Sequence, residues 1–139
     1  MTRVGFYVVG NADPGFRLSV AARLTDKAFR QGHRVYLHAA DEQQARQLDE
    51  LLWGFRPQSF LPHGLVGSPD AEQVAIGWGD DPGQHDDLLI NLQLGIPGFF
   101  SRFHRVAEVV TQDPDSLAAL RQSWRFYQER GYHLEKHDL

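Results

Sequence analysis

The sequence predicts an α/β fold in three layers around a mostly parallel sheet, and three observations carry that expectation. Short runs of β-branched and aromatic residues alternate with segments whose apolar positions recur at helical spacing. Glycine, proline, asparagine and aspartate cluster at the joints between them. The 139 residues are enough for one core that buries roughly two thirds of the unfolded surface. A single domain over 1–139 is therefore expected, without internal repeat, low-complexity tract or linker.

The first strand is residues 4–9, an apolar run that stops at Gly10-Asn11 and gives way to turn chemistry through Asp13-Pro14-Gly15. From Leu18, the positions Ala21, Ala22, Leu24, Ala28 and Phe29 make one face of a helix that ends at Gln31-Gly32. Residues 34–39 form a second strand, so strand, helix and strand compose a right-handed parallel crossover. Asp41 stands where an N-cap is wanted, with Gln44 in capping-box position; Ala45, Leu48, Leu51 and Leu52 give that helix its apolar stripe. Residues 54–71, rich in glycine, proline and polar side chains, read as a long ordered loop with room for one short edge strand. Loops of that length in a compact domain usually serve binding.

Residues 74–78 and 88–92 are two further strands, separated by the turn-forming Asp80-Asp81-Pro82-Gly83. A short helical piece around 97–105 leads into a strand at 106–110. Asp113-Pro114-Asp115 opens a last helix that runs to Arg130 and stops at Gly131, leaving a solvated C-terminal tail.

Composition narrows the function. A net charge of −4 and a pI of about 5.9 repel phosphate backbones, which argues against direct nucleic-acid binding. No apolar run approaches the roughly 20 residues of a membrane span, and no secretory signal opens the chain, so the cytoplasm is the expected compartment. Without cysteine, neither disulfides nor thiolate metal sites can form.

Candidate chemistry is sparse. The turn at Gly10 to Gly15 follows a strand and precedes a helix, as a pyrophosphate loop would, yet it matches neither the three-glycine dinucleotide fingerprint nor a phosphate loop ending in Gly-Lys-Ser/Thr. A nucleotide-dependent enzyme on this frame remains the competing class. His133 and His137 lack the His-Glu-x-x-His pattern, and Asp80-Asp81 and Asp86-Asp87 are ordinary turn builders, so no metal site is expected. No serine sits in a Gly-x-Ser-x-Gly elbow. No catalytic residues and no cofactor are expected.

The last helix carries more. Leu117, Leu120, Trp124 and Tyr127 form an inward stripe, and Arg121 and Arg125 share a face at its edge. Two guanidinium groups beside an aromatic wall suit a peptide with an acidic run and a free carboxylate. On the residues alone, pairing of both arginines with Asp115 or Glu129 on a solvated face is the simpler reading.

Several ordered pieces run through nearly the whole chain: Phe6-Tyr7, Arg34-Val35, Asp41-Glu42 with Ala45, Leu48-Asp49 and Leu52-Trp53, then Ser59-Phe60-Leu61-Pro62-His63, then Asp115-Ser116-Leu117 with Arg121, Trp124-Arg125, Tyr127 and Gly131-Tyr132. In joint order and spacing they resemble the chi subunit of bacterial DNA polymerase III, a clamp-loader accessory protein. The resemblance implies a Rossmann-like fold without nucleotide-dependent catalysis. It further implies a psi-subunit contact at Trp53 and Phe60, adjoined by Pro62 and His63. It implies a basic pocket for the acidic C-terminal tail of single-stranded DNA-binding protein at Arg121, with Trp124 and Arg125 as neighbours. Thr111 matches a pocket-wall position that is often aliphatic in the family, a departure expected to weaken the tail contact. A helicase is a further partner that the Trp53 surface could serve.

Overall fold

The computed structural model describes residues 1–54 and 61–139. Along the chain run β1 (Arg3–Val8), α1 (Phe16–Arg30), β2 (Val35–His38), α2 (Glu42–Gly54), β3 (Gly64–Leu65), β4 (Val74–Gly77), β5 (Leu88–Asn91), a single 3₁₀ turn (Phe100–Arg102), β6 (Arg105–Val110), α3 (Pro114–Glu129) and β7 (His133–Asp138). Seven described strands pair in the order β3-β4-β2-β5-β6-β1-β7, every neighbour parallel. The expected α/β architecture is the one observed.

Alternation along the strands splits the core in two. Val35, Leu37, Ile76, Ile90 and Val109 point to the face covered by α1 and α2, where they meet Ala21, Ala45 and Leu48. Val4, Phe6, Tyr36, Leu89 and Val106 point to the opposite face, under α3 and the 3₁₀ turn, where they meet Phe100, Phe103 and Tyr127. Parallel strands buried on both faces read as continuous apolar runs, which is why the five internal ones are plain in the sequence.

Local chemistry sets the helix ends. The Asp41 carboxylate accepts the Gln44 amide at 2.8 Å, and the Gln44 side chain accepts the Ala40 amide at 2.7 Å, a reciprocal box shifted by one residue at its return arm. Asp113 caps α3 by accepting from the Ser116 amide at 3.1 Å, with Pro114 at the first helical position. Gly131, at φ +78°, turns the chain out of α3 in a conformation that a Cβ would penalise.

The C-terminal segment differs from expectation. Instead of a solvated tail, residues 133–138 form β7, in register with β1 from Arg3↔His133 to Val8↔Asp138. Its half-buried, charge-rich pattern hid it: only Leu134 is an apolar residue facing α3, and charged side chains are the usual protection of a sheet edge. His133 and His137 do share a face, but through the two-residue period of a strand. Both approach Glu135, at 3.1 and 3.5 Å, and His137 stacks on Tyr7 with ring centroids 4.7 Å apart. Hydrogen bonds from His133 and Arg3 hold the exposed Glu135 carboxyl below its ordinary pKa.

Candidate functional site

Two surfaces hold the residues singled out from the sequence. The first lies where α2 ends. Trp53, on the last turn of that helix, leaves 58% of its surface exposed, an unusual position for the largest apolar side chain. Its ring lies 4.7 Å from that of His63, which is buried. The His63 nitrogens lie 2.8 Å from the Leu61 carbonyl and 3.1 Å from the Asp49 carbonyl, and the Asp49 carboxylate is 3.3 Å away. His63 thus pins the loop to α2 from within, and Pro62 beside it is half-buried. Trp53, Pro62 and His63 together line a groove of about 260 Å³ whose far wall is Pro69, Asp70 and Glu72. Phe60 lies outside the described residues.

The second surface is on α3. Tyr127 is buried, whereas Leu117, Leu120 and Trp124 are half-buried, with the Trp124 ring 5.1 Å from that of Phe6. Arg121 and Arg125 are exposed, and neither forms a hydrogen bond or ion pair with a described residue. The simpler pairing with Asp115 or Glu129 is not formed. Ser116, Ala119 and Ser123 line a small cavity with Gln93 and Glu108, so this flank of α3 faces β5 and β6. At 100° per residue, Leu117, Arg121, Trp124 and Arg125 occupy the opposite flank, toward the edge strand β7. There the α3 face of the sheet presents Leu134 and Lys136, in register with Val4 and Phe6. Sequence reasoning missed both, because they belong to the segment read as a tail. Lys136 lies 3.6 Å from Asp138 in a solvated pair.

Thr111 is fully buried, and its hydroxyl engages the Asp113 carboxylate and Ser116 Oγ. It supports the cap of α3, whereas Arg121, Trp124 and Arg125 lie about two to three turns further along that helix.

Among the described residues no group of three histidine, cysteine or acidic side chains is arranged to hold a metal ion. No described helix is long and apolar enough to cross a membrane.

An all-parallel sheet with helices on both faces places the chain in the Rossmann-like α/β class. Within that class the chain belongs to the DNA polymerase III chi subunit (HolC) family, whose sequence model matches residues 1–135. It is 53% identical over 139 residues to the DNA polymerase III subunit chi of Pseudomonas aeruginosa, covering all of this chain and 98% of that one. The chi subunits of Haemophilus influenzae and Escherichia coli are each 32% identical, over 86% and 96% of this chain and 85% and 96% of theirs. Membership in this family supports an accessory role in DNA replication.

Proposed function

We propose that this protein is a non-catalytic bridge in the polymerase III clamp-loader assembly. One end binds a psi-like subunit through the Trp53 groove; the other binds the acidic C-terminal tail of single-stranded DNA-binding protein along the α3 flank. The observation that carries the reading is the state of Arg121 and Arg125: exposed, without a partner among the described residues, and beside a half-buried tryptophan. Unpaired guanidinium groups next to an apolar ledge are ready to clasp a carboxylate, and the ledge formed by Leu117, Trp124 and Leu134 can receive the ring of a terminal phenylalanine. An acidic protein can work at the replication fork this way, because the contact with DNA is made by its partner.

Calorimetry with an acidic peptide ending in phenylalanine tests the tail site. Arg121→Ala should weaken binding by about 1.5–3 kcal/mol, the range for a charge-assisted hydrogen bond. Unchanged affinity in that variant would move the site off this flank.

A further inference from the structure

The helix layer on the α1 side of the sheet is narrower than the strands beneath it. Seven parallel strands about 4.8 Å apart spread over roughly 29 Å, whereas two helices, each about 10 Å across, cover roughly 20 Å. With α2 packed on β3 and β4 and α1 on β2 and β6, the outermost pair, β1 and β7, lies beyond the layer. On this face Tyr7, Glu135 and His137 are accordingly only half-buried. Where α1 steps down to these strands there is a groove of about 480 Å³. Phe16, Val20 and Leu24 of α1 give it an apolar wall, and Val9 and the exposed Leu139, just past the ends of β1 and β7, line it as well.

Arg23 and Lys27 complete the lining, which contains no acidic side chain. Both cations are exposed, and neither forms a hydrogen bond or ion pair with a described residue; Arg23 meets only the Phe16 ring, 5.8 Å from its guanidinium carbon. The acid on the bare strands, Glu135, already bonds Arg3 at 3.0 Å and lies between His133 and His137. In a chain of net charge −4, uncompensated cations beside apolar side chains suit an acidic partner. Side chains four apart on a helix share one face at about 6 Å, so carboxylates four apart on a second helix match Arg23 and Lys27. We propose that the groove seats an acidic amphipathic helix of a partner protein, laid beside α1 over β1 and β7 as the next member of the helix layer. Its carboxylates meet Arg23 and Lys27, and its apolar side chains cover Phe16, Val20, Leu24 and Leu139. A nucleic-acid backbone suits the groove less, because the apolar wall offers phosphates nothing and the chain as a whole repels them. The surface lies on the opposite face of the sheet from α3 and shares no lining residue with the Trp53 groove.

The probe is a stapled helical peptide of about 15 residues, with leucines along one face and glutamates four apart beside them. It is titrated into the isotope-labelled full chain and followed by NMR, with a lysine-for-glutamate peptide as control. Resonances of α1, Tyr7, Val9 and Leu139 should move with the glutamate peptide and stay still with the lysine peptide. The double variant Arg23→Glu, Lys27→Glu should weaken binding by roughly tenfold or more, since it sets like charges against each other. Both positions are exposed, so its melting temperature should match the wild type, and the lysine peptide should now bind it. Absence of shifts at millimolar peptide, or affinity indifferent to the charge reversal, overturns the proposal. So do shifts that centre on Arg121 and Arg125, which would assign the acidic helix to the α3 flank. Sedimentation of the chain alone supplies the last outcome: a dimer that the double variant abolishes would make a second copy the occupant and sink the idea of an acidic helical partner.

Discussion

Tyr127, on the inner face of α3, donates its phenolic hydrogen to Oε2 of Glu108 on β6 at 2.8 Å, while Oε1 of the same carboxyl accepts from Asn91 at 3.0 Å. This buried network, extended by the 2.9 Å bond from Asn91 to the Gly95 carbonyl, joins α3 to two strands. It thereby sets which flank of the helix faces the edge strand. Burial pushes the Glu108 carboxyl up to about 7, against the opposing pull of its bonds to Tyr127 and Asn91. The same burial, together with the neighbouring carboxylate, raises the Tyr127 hydroxyl.

A pH dependence follows. The folded pKa of Glu108 lies above its ordinary value of 4.5, so folding takes up a proton between the two. Its contribution to stability is full below pH 4.5 and is lost as pH rises through about 7. Glu108→Gln keeps an amide of the same shape that cannot ionise. Urea unfolding from pH 4.5 to 8 should show the wild type losing stability relative to this variant as pH rises. Parallel profiles would mean that the carboxyl is not held protonated by the fold.

Tyr127→Phe keeps the ring contacts with Phe6, Phe100 and Tyr132 but removes the donor to a buried carboxyl. A loss of about 1–3 kcal/mol is expected, the penalty of leaving a buried acceptor unsatisfied. Chemical denaturation measures it. Because α3 loses an anchor, tail-peptide affinity should fall as well, although Tyr127 lies on the inner stripe.

Trp53→Ala separates interface from core. An exposed ring contributes little to the fold, so the melting temperature should stay within a few degrees, in keeping with about ±0.5 kcal/mol for surface changes. Association with psi should be lost, since tryptophan is the commonest anchor of such contacts. A collapsed fold would show the ring to be structural.

Salt should act unequally on the two surfaces. Tail-peptide affinity, resting on Arg121 and Arg125, should drop several-fold between low and physiological ionic strength, with psi association at the Trp53 groove changing less. Calorimetry at two salt concentrations gives both slopes.

Truncation after Tyr132 tests the edge strand. Removing the last seven residues, six of them paired along the whole of β1, strips Leu134 from the core and leaves β1 as an open edge. A large drop in melting temperature and a tendency to aggregate are expected. A solvated tail would be lost without either effect.

The order of strands and helices, the cap at Asp41 and Gln44, the cap at Asp113 and the inward stripe of α3 were legible from the residues, because each depends on neighbours within a few positions. So was the family, through pieces such as Leu52-Trp53 and Trp124-Arg125. Other features were settled by residues distant in sequence. The strand character of 133–138 comes from pairing with β1, more than a hundred residues earlier, and its own alternation is too charged to announce it. That Trp53 stands exposed while Trp124 rests on Phe6, that Arg121 and Arg125 have no partner among the described residues, and that Glu108 is sealed beneath Tyr127 are facts of packing. Local propensity and periodicity act over one or two turns of chain, whereas burial and pairing are decided when the layers close on one another.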